Sequence, residues 1–187
     1  EHSFFAKHGL DVNYVGHPLL DALKDLDSKN IDSEKPVIAV LPGSRKQEIA
    51  VSLPIMMKVA KYFENYQFII AGAPSISVDY YRSITKDSYM PVLSNKTHAL
   101  LKECKAAIIT SGTATLEAAI LGAPQVVCYK TSFISYIIGK LLVKVKYIAL
   151  VNLICDKEVV KELIQDDFNI ENLVDELNYI LNNKNRI

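Results

Sequence analysis

Neither sign of charge is in excess in this chain, because 21 basic and 21 acidic side chains cancel among 187 residues. With no net field, nothing draws the protein to nucleic acid or to another polyanion. Cysteine is scarce, and Cys104, Cys128 and Cys155 are well separated, form no C-x-x-C pair and have no closely spaced histidine, which argues against zinc and against a disulfide framework. A reducing compartment suits such thiols. Long apolar runs are missing too: none is long enough to span a bilayer, and Glu1-His2-Ser3-Phe4-Phe5 lacks the basic and apolar regions of a signal peptide. A cytoplasmic protein is expected. Neither G-x-x-x-x-G-K-[ST] nor G-x-G-x-x-G occurs at the candidate loops described below, which disfavours a nucleoside triphosphatase or a dinucleotide enzyme.

What is present is a composition half hydrophobic, able to bury roughly 70 % of the unfolded surface and so to fold as one α/β domain over 1–187. Apolar runs at 37–41, 67–72, 106–110 and 125–129, with a shorter one at 91–93, alternate with helical spacing at 49–63, 78–84, 97–104 and 114–121. Short connections between them predict right-handed βαβ units and a Rossmann-like parallel sheet with helices on both faces. Val12, Tyr14 and Val15 suggest one more strand, ending at Gly16-His17-Pro18 and followed by a helix through Leu19, Leu20, Ala22 and Leu23. Ser52 is a possible N-cap of the 49–63 helix, which would put Pro54 in its first turn. After 129 the pattern predicts a helix at 133–144, an extended piece at 147–150, and C-terminal helices over 157–184. The last of these carries an apolar stripe, Ile170, Leu173, Val174, Leu177, Ile180 and Leu181, that needs a partner surface; a homodimer or domain exchange would supply it.

Two elbows carry the functional signal. Ala106-Ala107-Ile108-Ile109-Thr110 breaks into Ser111-Gly112-Thr113 and resumes as a helix, leaving amides near Gly112, Thr113 and Ala114 without intrahelical acceptors, where a phosphate can sit. Glu117, about one turn further on, can accept two hydroxyls of a ribose. Leu41-Pro42-Gly43-Ser44-Arg45 repeats the arrangement with a guanidinium at the rim, able to neutralise a diphosphate or to pair with nearby Glu48. Ligands of open α/β sheets bind beyond the carboxyl ends of the strands, so both loops should open into one crevice.

Taken together, Val15-Gly16-His17-Pro18-Leu19-Leu20-Asp21, Leu41 to Ile49 and Ser111 to Glu117, in this order, closely resemble the lipid-A-disaccharide synthase family. Leu142-Val143-Lys144, Tyr147 to Ile154 and Val160 to Leu163 continue the resemblance, which covers nearly the whole chain but only the C-terminal half of that enzyme. It implies one domain of a GT-B-type inverting glycosyltransferase, moving 2,3-diacylglucosamine from its UDP conjugate to 2,3-diacylglucosamine 1-phosphate and releasing UDP, with the N-terminal acceptor domain absent. The chain alone would then bind donor and turn over little. Carried over residue by residue, the family's motifs imply Arg45 and Asn152 as catalytic positions. Glu117 matches the family's ribose-binding acid. With His17, Gly43, Ser44, Glu48, Ser111, Gly112 and Thr113 of the turn and loops, Arg45, Asn152 and Glu117 make up the expected UDP-sugar site. His17, at the expected strand end, is either a donor to a phosphate or sugar hydroxyl or a turn histidine bonded to backbone. Ser94-Asn95-Lys96-Thr97 can frame the uracil through backbone groups, and His98 is either a solvated helix residue or lines the site through this loop. Another GT-B enzyme of UDP-N-acetylglucosamine, transferase or 2-epimerase, or a non-catalytic nucleotide-sugar module, are the alternatives. No cofactor and no metal are expected: the one D-x-D, Asp25-Leu26-Asp27, lies in a polar linker. The apolar stretch Phe133 to Lys146, with late lysines, suits either a membrane surface, as a peripheral protein on the cytoplasmic face would need, or a protein partner.

Overall fold

The computed structural model describes residues 2–13, 15–24, 31–86, 90–132 and 146–183. Its strands are β1 (Val37–Leu41), β2 (Gln67–Gly72), β3 (Val92–Ser94), β4 (Ala106–Thr110), β5 (Gln125–Tyr129) and β6 (Lys161–Ile164). Its helices are α1 (His2–Lys7), α2 (Pro18–Lys24), α3 (Lys46–Val59), α4 (Val78–Thr85), α5 (Thr97–Glu103), α6 (Ala114–Ile120), α7 (Leu150–Cys155) and α8 (Ile170–Asn182). All strand pairs are parallel, in the order β3-β2-β1-β4-β5-β6. The chain winds outward from β1 to β3, returns to the middle, and winds outward the other way from β4. This order reverses direction between β1 and β4, where Leu41 lies opposite Ile109, and a reversal of that kind opens a gap at the carboxyl edge.

Strand periodicity sorts the core into two layers. Ile38 and Val40 face the layer built by Ile49, Leu53 and Met56 of α3, Tyr81 of α4, and Leu173 and Leu177 of α8. Val37, Ala39 and Leu41 face Leu100 and Leu101 of α5 and Ala118 of α6. Covered on both sides, β1 and β4 are buried at every position, which is why their sequences are continuous apolar runs. Burial pushes the Cys104 thiol up to about 12 and raises that of Cys128 as well, so both stay neutral core residues.

The structure departs from the sequence expectations in five places. Among the described residues no strand forms near Val12 and Val15; Val15 is 91 % exposed, and the flanks of the sheet are taken by β3 and β6, while Tyr14 lies outside the described residues. Ser52 caps nothing: α3 starts six residues earlier, and Ser52 is buried mid-helix. Pro54 is therefore inside the helix, where the carbonyl it leaves unserved belongs to Ala50, an exposed residue. Of the extended piece expected at 147–150, Ala149 is extended but Leu150 already opens α7, and within the helix expected over 157–164 residues 161–164 form β6 instead, whose backbone completes the edge of β5. Finally, the stripe of α8 is covered by this chain's own sheet, with Leu173, Leu177 and Ile180 buried, and so offers no apolar face to a second copy. The expected helix over 133–144 lies outside the described residues.

Candidate functional site

The two elbows do meet. A crevice of about 460 Å³ lies between the β1–α3 and β4–α6 loops, with Gly43, Ser44 and Arg45 on one side and Ser111, Gly112 and Thr113 on the other. Glu117 and, from the β2–α4 loop, Ala73 and Pro74 complete the lining. A larger groove of about 680 Å³ is formed by residues such as Lys35, Lys61, Tyr66 and Met90, but these precede β1, β2 and β3, at the amino edge of the sheet, away from the topological switch.

In the β1–α3 elbow, Gly43 has φ 120°, a conformation that a side chain resists, and a Cβ there would come within 2.8 Å of Cβ and Oε2 of Glu48. Glu48, third residue of α3, folds back over the loop. Its Oε2 accepts from the amides of Ser44 (3.1 Å) and Arg45 (3.3 Å), and its Oε1 accepts from Nη1 of Arg45 (2.7 Å). Arg45 is 79 % exposed, and this bond uses one of its five N–H groups, leaving the others at the rim. The loop is further tied by Ser75, whose Oγ donates to the Ser44 carbonyl at 3.4 Å. Glu48 thus lines the crevice while its carboxylate is engaged as the partner of Arg45 and the cap of α3.

The β4–α6 elbow is built differently. Ser111 is anchored by its amide to Cys128 (2.9 Å) and by its hydroxyl, which donates to the Ile148 carbonyl (3.2 Å). Thr115 Oγ1 donates to the Gly112 carbonyl at 2.8 Å, fixing the turn from inside. Among the described residues, no group accepts from the amides of Gly112, Thr113 or Ala114, and Gly112 and Thr113 are exposed. Thr110, the last residue of β4, also lines the crevice, and its buried hydroxyl has no partner among the described residues. Nothing in its sequence context marked it out beyond its place at the end of a strand. Glu117 is partly buried, and its Oε2 lies 2.9 Å from Nε2 of His98, so the histidine sits beside the site through a side-chain contact.

A family model described as lipid-A-disaccharide synthetase matches residues 1–187. The chain belongs to this family. Among its curated relatives are the lipid-A-disaccharide synthases of Sulfurihydrogenibium sp. and Syntrophus aciditrophicus, 37 % and 36 % identical over 92 % and 100 % of this chain. The chain spans about half the length of the curated relatives it matches, 50 % and 52 % for these two. Solved structures share the fold at low identity. A UDP-GlcNAc 2-epimerase from Methanocaldococcus jannaschii superposes with a TM-score of 0.62 at 14 % identity, over 99 % of this chain and 52 % of its own. The ADP-heptose heptosyltransferase II of E. coli does so with 0.51 at 15 %, over 90 % and 52 %. The fold is that of one half of a GT-B enzyme.

Two residues expected in the donor site lie elsewhere in this member of the lipid-A-disaccharide synthetase family, Asn152 and His17, the latter as the backbone-bonded turn histidine of its alternative reading. Asn152, in α7, is 0 % exposed and does not line the crevice. Its Oδ1 accepts from the amides of Val159 (2.8 Å) and Val160 (2.9 Å), and its Nδ2 donates to the Val160 carbonyl and to Glu162 Oε1, both at 2.8 Å. Every hydrogen-bonding position of the amide is used, so Asn152 holds α7 to β6 rather than touching a ligand. The network reaches the site only indirectly: Glu162 also accepts from the amides of Ile148 and Ala149, and Ile148 is the acceptor for Ser111. His17 is the second. Its Nδ1 accepts from the Leu19 amide at 3.2 Å, and it shares a surface groove with Leu20, Ile120 and Leu121. Those last two residues stand at the far end of α6 from the crevice. The D-x-D at 25–27 lies outside the described residues.

Proposed function

We propose that this chain is the donor-binding half of a lipid-A-disaccharide synthase, an inverting hexosyltransferase of lipid A biosynthesis. It would hold UDP-linked 2,3-diacylglucosamine in the switch-point crevice. The bond between the anomeric carbon and the diphosphate breaks as one forms to the 6-hydroxyl of 2,3-diacylglucosamine 1-phosphate. UDP leaves and the anomeric centre inverts. The acceptor site and the base that takes the hydroxyl proton are assigned to the half of the relatives that this chain does not match. Family membership supports the reaction. The observation that carries the site is the shared crevice, with uncommitted amides at Gly112, Thr113 and Ala114 on one side and the Arg45 guanidinium on the other.

In this reading the negative charge growing on the departing diphosphate is met by those amides and by Arg45, without a cofactor or a metal. Glu117 receives the ribose hydroxyls. Ser44 and Thr113, both exposed at the crevice, add side-chain donors. No described helix is long and apolar enough to cross a membrane. We assign the handling of the acyl chains to a peripheral contact with the inner membrane through 133–146, a stretch that lies largely outside the described residues.

Titration calorimetry tests the site. UDP should bind, and Arg45→Ala and Glu117→Ala should each weaken it about tenfold. Unchanged affinity in both variants would refute the assignment. Competition by acylated against unacylated UDP-glucosamine then separates this reading from a relative that acts on UDP-N-acetylglucosamine.

A further inference from the structure

Glu117 does not face the crevice alone. His98 stands second in α5, Glu117 fourth in α6, and these two helices pack side by side with their first turns at the carboxyl edge of the sheet. Leu100 and Leu101 of α5 and Ala118 of α6 are buried in one cluster, so both backbones are fixed beneath the pair. The 2.9 Å contact between Nε2 and Oε2 is therefore set by the packing of the core. His98 keeps 36 % of its side-chain exposure and Glu117 20 %, sheltered enough for the bond to persist and open enough for a ligand to reach the carboxylate.

A carboxylate offers about four acceptor positions on two oxygens. Nε2 takes one, in either the Nε2–H tautomer or the imidazolium, and the rest stay available to two neighbouring hydroxyls. A glutamate free to rotate would lose that freedom on binding, and the loss weakens affinity. With His98 in place, the carboxylate is already ordered.

Building on the nucleotide-sugar reading above, we propose that His98 is a positioning residue that sets the site's preference for ribose over a sugar lacking the vicinal hydroxyls, by presenting Glu117 in one orientation. The effect is confined to ligands that carry those hydroxyls. Arg45 and residues 112–114, which would meet the diphosphate, line the crevice, whereas His98 does not and reaches it through Glu117.

Calorimetry with UDP and 2′,3′-dideoxyuridine diphosphate tests this on the wild-type chain and on His98→Leu and His98→Gln. Leucine keeps bulk without a donor, whereas glutamine places an amide nitrogen where Nε2 stood. The wild type should prefer UDP by about tenfold, and His98→Leu should cut that preference about fivefold through UDP alone. Its affinity for the dideoxy nucleotide should stay within about twofold, which also reports that the variant has folded. His98→Gln should restore the preference. If His98→Leu keeps the wild-type preference, or weakens both nucleotides alike, the role of His98 is overturned while the nucleotide site stands. Failure of the wild type to bind UDP, or to distinguish the two nucleotides, would instead remove the underlying reading and this proposal with it.

Discussion

The two elbows share a topology, a crevice and a run of small residues, yet their backbone amides end in opposite states. In the β1–α3 elbow the amides of Ser44 and Arg45 are filled by the Glu48 carboxylate. In the β4–α6 elbow the amides of Gly112, Thr113 and Ala114 have no acceptor among the described residues. The helix starts account for the difference: Arg45 before α3 is extended, whereas Thr113 before α6 is already helical. Glu48 is third in α3, the position from which a side chain reaches back to the cap, whereas Glu117 is fourth in α6 and turns about 100° further round, onto His98. A helix start at a switch point is therefore not by itself an anion site, because its own glutamate can occupy it. In the proposed site this contrast would divide the work between the loops: backbone donors from the second, the exposed Arg45 guanidinium from the first.

The sharpest way to break this contrast is to exchange glycine for alanine at each elbow. Gly43→Ala meets both a positive φ and a Cβ contact of 2.8 Å with Glu48, so it should lower unfolding free energy by about 2 kcal/mol in denaturant titration. Next in size, Glu48→Ala removes the acceptor for two amides and a guanidinium, for an expected loss of about 1 kcal/mol. Thr113→Ala, at the start of the other helix, deletes a side chain that caps nothing and should stay within about 0.5 kcal/mol of wild type. Equal losses at Glu48 and Thr113 would mean that the two elbows are held in the same way, against what their hydrogen bonds show.

Much of this arrangement was legible in the residues. Apolar runs such as Val37 to Leu41 and Ala106 to Thr110 announced buried parallel strands, because only a sheet covered on both faces tolerates them. The order of those strands put both elbows at one gap. What stayed hidden was decided by partners distant in sequence. Residues 161–164 became a strand because β5 had an open edge, a fact no local pattern carries. Asn152 sits in a motif that suggested a ligand contact, but its amide is spent on Val159, Val160 and Glu162 across the α7–β6 turn. The pairing of His98 with Glu117 spans 19 residues and depends on how α5 and α6 pack, so neither residue alone advertised it.

Gly112→Ala gives the smallest effect and the cleanest separation of fold from binding. Gly112 does not have positive φ, and a Cβ added there would meet nothing nearer than the Thr110 carbonyl at 4.0 Å. The chain itself thus has no steric need for glycine at this point, and the substitution should leave stability within about 0.5 kcal/mol, with any gain coming from a less flexible unfolded state. The added methyl would, however, stand beside the uncommitted amides on the wall of the crevice. A diphosphate lying against that backbone should be held off by it, so UDP affinity should fall about threefold to fivefold in calorimetry while the denaturation curve stays where it was. An unchanged affinity would mean that the phosphates do not approach this elbow closely, and the division of work between the two loops would have to be redrawn around Arg45 alone.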